Sequence, residues 1–283
     1  MPLGEGVLPA LKLQLEVVAK PLGIFGLTLI APEGVNATVA GEPSTVATYQ
    51  EFLREQFGEL TYKQSPSNKM PFKRFKVKIK EEIVQLKRTD IVPSGQETHV
   101  SPEEWDNLIS SEDAVIIDVR NEYEVKMGTF KNAVNPKTKH FSQFPAWLKK
   151  AGISKQQKIG IFCTGGIRCE KAAVAMKEQG YGHVHQLDGG VLNYIEKRPN
   201  QNFEGECFVF DSRCAVGQDL LPSKVYATCS GCGNGGFITK TCSQCGDTFK
   251  TCDECLAKQP VALCSKDCRY QYAHKIAAGP GLL

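Results

Sequence analysis

The chain lacks a charge of one sign. Its 34 Lys and Arg and 31 Asp and Glu leave a net charge of +3 over 283 residues. Bulk attraction to nucleic acid is therefore not a property of the whole chain, and any such contact must come from where the charges fall. Long apolar runs are also missing. None reaches the roughly 18 residues of a membrane span, and Glu5, Lys12 and Glu16 interrupt the apolar stretch of Met1 to Lys20, which argues against a signal peptide. The expectation is a cytoplasmic protein with no membrane partner. Histidine is scarce, at five residues, and His140, His183 and His185 have no evident partner, so neither a cysteine–histidine dyad nor a histidine–carboxylate iron site is readable. No site for an organic cofactor is evident, and there is no internal repeat beyond cysteine pairs. With 41% hydrophobic and 23% charged residues, the length suits several soluble modules with a sizeable core.

Cysteine is abundant, and unevenly so: eight of twelve fall between Cys229 and Cys268. They form four chelating pairs, Cys229 with Cys232, Cys242 with Cys245, Cys252 with Cys255 and Cys264 with Cys268. Glycines at 231, 233 and 246 allow the tight knuckles that turn amides toward thiolate sulfur. Eight thiolates suit two structural zinc ions, and four sulfurs around each leave no open position for catalysis. Sequential and cross-braced pairings satisfy the same spacings, so the sharing of ions stays open.

A second signal is Gly160-Ile161-Phe162-Cys163-Thr164-Gly165-Gly166-Ile167-Arg168-Cys169. A strand over 158–162 delivers Cys163 to a sheet edge. The turn residues Thr164, Gly165, Gly166 and Ile167 offer backbone amides, and a helix over 170–177 points its first amides back at the sulfur. Such a field, with Arg168 nearby, favours the reactive thiolate. Cysteine often only fills a core, but Cys163 stands last in its strand. The fork of Arg168 suits a uracil oxygen, a phosphate or a sulfur anion. Cys169 is either a second redox partner or a packing residue. Asp118 and Arg120 read better as a structural pair than as a catalytic one.

The first hundred residues read as an α/β unit, with strands at 25–30, 36–39 and 75–79 and a helix over 44–56. In the third strand Phe75, Val77 and Ile79 take one face. Arg74, Lys76, Lys78 and Lys80 take the other, a row that suits a phosphate backbone and equally suits a solvated, lysine-protected edge. Lys63 and Lys69 extend the patch, and Glu81 and Glu82 end it. Asp90 to His99, with Pro93, Ser94 and Gly95, reads as a linker. Ser101-Pro102-Glu103-Glu104 then opens a capped helix. The boundaries expected are 1–92, 97–200 and 201–283, the last beginning with an extended arm over 204–221.

Three motifs resemble the rhodanese domain: the Cys163 loop with its arginine, Asp118-Val119-Arg120 followed by Glu122 and Glu124, and Asp188-Gly189-Gly190 after a strand. Four spans together resemble the bacterial rhodanese-domain tRNA uridine hydroxylases: Ile30-Ala31-Pro32-Glu33-Gly34-Val35-Asn36-Ala37-Thr38, Pro71-Phe72-Lys73-Arg74-Phe75-Lys76-Val77-Lys78, Cys163 to Lys171, and Gly205-Glu206-Cys207-Phe208-Val209-Phe210-Asp211. The resemblance implies a ferredoxin-like N-terminal domain whose opening strand is shortened or replaced by Met1 to Val7. A central rhodanese domain with a parallel sheet and a C-terminal cysteine-rich zinc module would follow. It implies oxygen-dependent hydroxylation of the wobble uridine of tRNA to 5-hydroxyuridine, dependent on Cys163, and it strengthens RNA contact by the basic row. Sulfur transfer through a persulfide on Cys163 is the alternative, and a protein-binding role of the tail a third.

Overall fold

A computed structural model describes residues 3–67, 69–93 and 98–277. The N-terminal unit comprises α1 (Leu8–Ala19), β1 (Phe25–Ala31), β2 (Gly34–Ala40), α2 (Pro43–Phe57) and β3 (Phe75–Ile79). Leu8, Leu11, Leu15 and Ala19 on α1, and Tyr49, Leu53 and Phe57 on α2, recur at helical spacing. They cover Ile30 and Val77 of the sheet. β1 and β2 form a hairpin, and β3 joins the other side of β1 in parallel. Gly26, at φ +140°, cannot be replaced, because a Cβ there would stand 2.2 Å from the Thr38 carbonyl oxygen.

Two details of this unit differ from expectation. Leu3 to Val7 forms no strand; residues 5–7 make a single 3₁₀ turn into α1, and the Leu3 amide donates to the Pro32 carbonyl at 2.6 Å. Helical apolar spacing across 8–19 wins over strand formation, and α1 has no counterpart in the sequence reading. Ile79, assigned by alternation to the buried face, is 43% exposed. It ends an edge strand, where there is a neighbour on one side only.

The central unit runs β4 (His99–Val100), α3 (Pro102–Ile109), β5 (Ala114–Asp118), α4 (Glu122–Val125), β6 (Gly128–Phe130), α5 (Phe144–Leu148), β7 (Lys158–Phe162), α6 (Ile167–Glu178), β8 (Val184–Leu187) and α7 (Gly190–Lys197). Strands β4, β8, β7 and β5 lie side by side in that order, all parallel. The expected capping box starts α3, with Ser101 Oγ accepting from the Glu104 amide and Glu104 accepting from the Ser101 amide.

Alternation along the strands separates two cores. Ile159, Ile161 and Cys163 face α5 and α6, and Phe162 faces α3 and α7. Gly160 sits under Trp105, where a Cβ would come within 2.8–2.9 Å of Ile116, Leu108 and Trp105. Leu86 and Ile91 also pack into the α5/α6 core, so the chain is anchored to the central unit as far as Ile91. Of the expected linker, residues 94–97 lie outside the described residues.

The arm is not free. β9 (Phe203–Gly205) pairs with β6, and β10 (Cys207–Phe208) pairs with β11 (Ala215–Val216). Phe203, Cys207, Val209 and Val216 complete the α3/α7 core. The cysteine-rich tail consists of short hairpins, β12 (Ala227–Thr228) with β13 (Gly235–Gly236) and β14 (Ile238–Thr241) with β15 (Thr248–Thr251), followed by α8 (Asp253–Lys258) and α9 (Lys266–Ala277).

Candidate active site

Cys163 follows the last residue of β7 at the carboxyl edge of the parallel sheet, where open α/β sheets place their ligands. Gly166, in the left-handed region at φ +93°, starts α6 at Ile167, three residues earlier than the sequence suggests, and puts Arg168 and Cys169 in the first turn. The Gly166 amide donates to Cys163 Sγ at 3.1 Å. From behind, the Val191 and Leu192 amides donate to the Cys163 and Thr164 carbonyls at 2.9 and 3.1 Å. That approach is open only because Gly190 lacks a side chain; a Cβ there would lie 2.4 Å from the Cys163 carbonyl oxygen.

The thiol is fully buried. Burial opposes its ionisation. The hydrogen bond from Cys169, the charge of Arg168 and the amides of Arg168 and Cys169 outweigh burial and hold Cys163 well below the ordinary thiol value. Cys169, equally buried, moves the opposite way, because burial and its hydrogen bond to Cys163 both favour the protonated thiol. The surroundings thus favour the thiolate at Cys163 and the protonated thiol at Cys169.

Arg168 does not present a free fork. Its guanidinium is bidentate to Glu124, at 2.6 and 2.7 Å, and donates to Thr164 Oγ1 at 3.2 Å. Glu124 is fully buried and also accepts from the Asn121 amide at 3.1 Å. Burial raises the Glu124 pKa, but the Arg168 charge and hydrogen bonds overcome that and keep it below its usual value. Arg168 therefore offers Cys163 its field rather than a free donor pair. Phe210, 58% exposed, lies over the guanidinium with its ring centroid 5.7 Å away. Asp118 and Arg120 form a fully buried bidentate pair, and Arg120 also donates to the Gly128 carbonyl at 2.6 Å, a structural arrangement.

The N-terminal unit reaches the loop as well. Lys63 Nζ donates to the Gly165 carbonyl at 2.5 Å across 102 residues of sequence. Desolvation lowers its pKa, while Cys163, Asp188, Cys169 and Glu170 act in the other direction. Behind the loop, Lys171 of α6 is buried against Glu33 at 2.7 Å and Glu82 at 3.5 Å, an ion-paired clasp between the units. Over it, Arg213 donates to Ser65 Oγ at 3.1 Å and the Ser212 amide to the Pro71 carbonyl at 3.1 Å. Sequence motifs contain Glu33 and Glu124, and Glu82 only ends the basic row; none of the three signals its partner. Lys63 carries only the signal of a basic patch. Arg74, Lys76, Lys78 and Lys80 are all exposed along β3.

The tail gathers its cysteines into two sets, Cys229, Cys232, Cys252 and Cys255, and Cys242, Cys245, Cys264 and Cys268. First and third pairs share one set, second and fourth the other, so the arrangement is cross-braced. Within each set all sulfurs lie within 4.8 Å of one another. The Gly231 and Cys252 amides donate to Cys229 Sγ at 3.4 and 3.3 Å, and the Cys264 amide to Cys242 Sγ at 3.4 Å. Four convergent sulfurs with amides aimed at them fit a tetrahedral metal ion.

Residues 2–83 match the family described as UPF0176 acylphosphatase like domain, residues 101–197 the rhodanese-like domain, and residues 204–269 the family described as rhodanase C-terminal. A tRNA uridine(34) hydroxylase of Bdellovibrio bacteriovorus is 43% identical over 270 residues, spanning 93% of this chain and 77% of the relative. Proteins of the same name from Rhizobium leguminosarum bv. trifolii and Acaryochloris marina are 42% and 45% identical. They cover 83% and 74% of this chain and 81% and 69% of their own lengths.

Proposed function

The chain belongs to the tRNA uridine(34) hydroxylase family, and from that premise we propose that it hydroxylates the wobble uridine of tRNA with Cys163 as the essential thiolate. What supports that role for Cys163 is its placement: the thiol follows β7 at the sheet edge, the Gly166 amide donates to its sulfur, and the first turn of α6 with Arg168 and Cys169 lowers its pKa. Replacing C5–H by C5–OH with dioxygen leaves one oxygen atom as water and consumes two protons and two electrons from a reductant. Arg168, locked to Glu124, stabilises the thiolate, and the loop amides of residues 164–167 line its approach. Among the described residues no helix is long and apolar enough to cross a membrane; a cytoplasmic location belongs to this reading through its tRNA substrate alone.

The exposed row Arg74, Lys76, Lys78 and Lys80 follows the tRNA backbone in this reading, supplying locally what the net charge does not. The test is mass spectrometry of wobble nucleosides from cells lacking the protein. 5-Hydroxyuridine disappears and returns with the wild-type chain; unchanged nucleosides would leave sulfur transfer as the function of the thiolate.

Zinc is the proposed occupant of both cysteine sets, because eight thiolates and no histidine suit it and each full set leaves no position for water. Its contribution is structural, since the tail has few aliphatic residues and the tail cluster around Leu263 is small. Titration with an organomercurial is expected to release two zinc ions per chain with loss of the tail's hydrogen-exchange protection. Release of one ion or none would refute the assignment.

A further inference from the structure

A cleft of about 330 Å³ lies between the segment that follows α2 and the β8–α7 turn, beside the Cys163 loop. Its size is in the range of small-ligand pockets, roughly 300–1,000 Å³. Neither unit forms it alone: Tyr62, Lys63 and Gln64 come from the N-terminal unit, and Asp188, Asn193 and Glu196 from the central one. Lys63 bridges from the cleft to the Gly165 carbonyl. The floor is Gly189, whose Cα is 3.8 Å from where a Cβ on Gly166 would stand. The cleft thus abuts the reactive loop.

Its chemistry suits a neutral base better than a phosphate. Tyr62 is 40% exposed, and its hydroxyl donates to the Gln50 carbonyl at 3.1 Å, which anchors the ring in place. Two carboxylates, Asp188 and Glu196, disfavour an anion. A uracil edge presents one donor, N3–H, between two carbonyl acceptors. Among the lining residues Asp188 and Glu196 supply acceptors for that donor, and Lys63 and Gln64 supply donors for the two carbonyls. Cytosine would turn an unprotonated N3 toward the carboxylate and leave both without a proton to share.

We propose that this cleft is the pocket that receives the flipped wobble uracil, with Tyr62 as its stacking wall and Asp188 as the acceptor of N3–H. The assignment rests on the hydroxylase reading and adds where the base goes and what reads it. Flipping is required because a stacked base hides its reacting edge.

The probe is an anticodon stem-loop RNA carrying 5-fluorouridine at the wobble position, followed by fluorine NMR with Cys163→Ser protein, which keeps the cleft but lacks the thiolate. Binding is expected to shift the fluorine resonance, and Tyr62→Ala to remove the shift. On ordinary stem-loop RNA with Cys163 intact, Tyr62→Ala should lower kcat/KM roughly 5- to 150-fold, the range of 1–3 kcal/mol for base–aromatic stacking. Tyr62→Phe, which keeps the ring but loses its hydroxyl's bond to Gln50, should recover most of both signals and so separates stacking from misfolding. Asp188→Asn should narrow the preference for a 5-fluorouridine over a 5-fluorocytidine stem-loop. If wild type hydroxylates while Tyr62→Ala and Asp188→Asn match it in turnover, shift and base preference, the uracil sits elsewhere and the pocket is wrong. If wild type itself forms no 5-hydroxyuridine, the hydroxylase reading falls, and the pocket with it.

Discussion

Exchanging Cys163 for serine abolishes 5-hydroxyuridine formation by the purified protein while its affinity for tRNA stays near that of wild type. The sulfur is buried and makes no contact with the exposed basic row, so its loss removes chemistry and leaves backbone contacts intact. A serine hydroxyl does not ionise in the same field, which separates a thiolate role from a packing one. The companion measurement is the pH dependence of alkylation by iodoacetamide. Because the thiol is held well below its ordinary value, the rate at Cys163, slowed by burial at every pH, should show no rise through the ordinary thiol range and should fall only as the pH drops below the lowered value. Alkylation of Cys169 should stay negligible over that range, because its thiol is pushed up. A Cys163→Ser protein that loses tRNA binding, or a Cys163 that titrates as a free thiol, would make the residue structural.

Replacing Glu124 with alanine is expected to destabilise the protein by roughly 3–5 kcal/mol, the cost of breaking a buried ion pair from one side. The carboxylate is fully buried and accepts both arms of Arg168, so its removal strands a guanidinium that is only 7% exposed. Chemical denaturation reads the loss as a lower midpoint. Glu124→Gln keeps part of the hydrogen bonding without the charge and should fall between. The pH dependence has a definite sign: the folded carboxyl lies below its unfolded value. Its contribution is present above the unfolded pKa and is lost as the pH falls through the lowered one. An alanine variant as stable as wild type would mean that water enters and solvates Arg168.

Local features were legible in residue order. β3 and β7 begin and end where alternation and the cysteine placed them, and the Ser101 capping box is present as read. The α1 helix was not legible, since its buried Leu8, Leu11, Leu15 and Ala19 share a stretch with apolar residues on the outer face, such as Leu13 and Val17. The earlier start of α6 depends on Gly166 adopting a left-handed conformation, which the sequence permits without requiring. Arg168 looked like a free fork because Glu124 lies 44 residues away, and no periodicity links the two.

Residue order alone determined that a thiol ends a strand before a glycine turn, that eight sulfurs come in four chelating pairs, and that β3 carries its charges on one face. Each of these depends on neighbours in the chain, whose geometry is set by bond lengths and by the periods of helix and strand. Tertiary structure decided that the cysteine pairs are cross-braced, that Arg168 belongs to Glu124, that Lys63 reaches Gly165, and which of two buried thiols is made the more acidic. Those outcomes depend on which distant groups meet in a medium of low polarity, where a neighbouring thiol, a guanidinium and backbone amides together bias a sulfur toward its charged form.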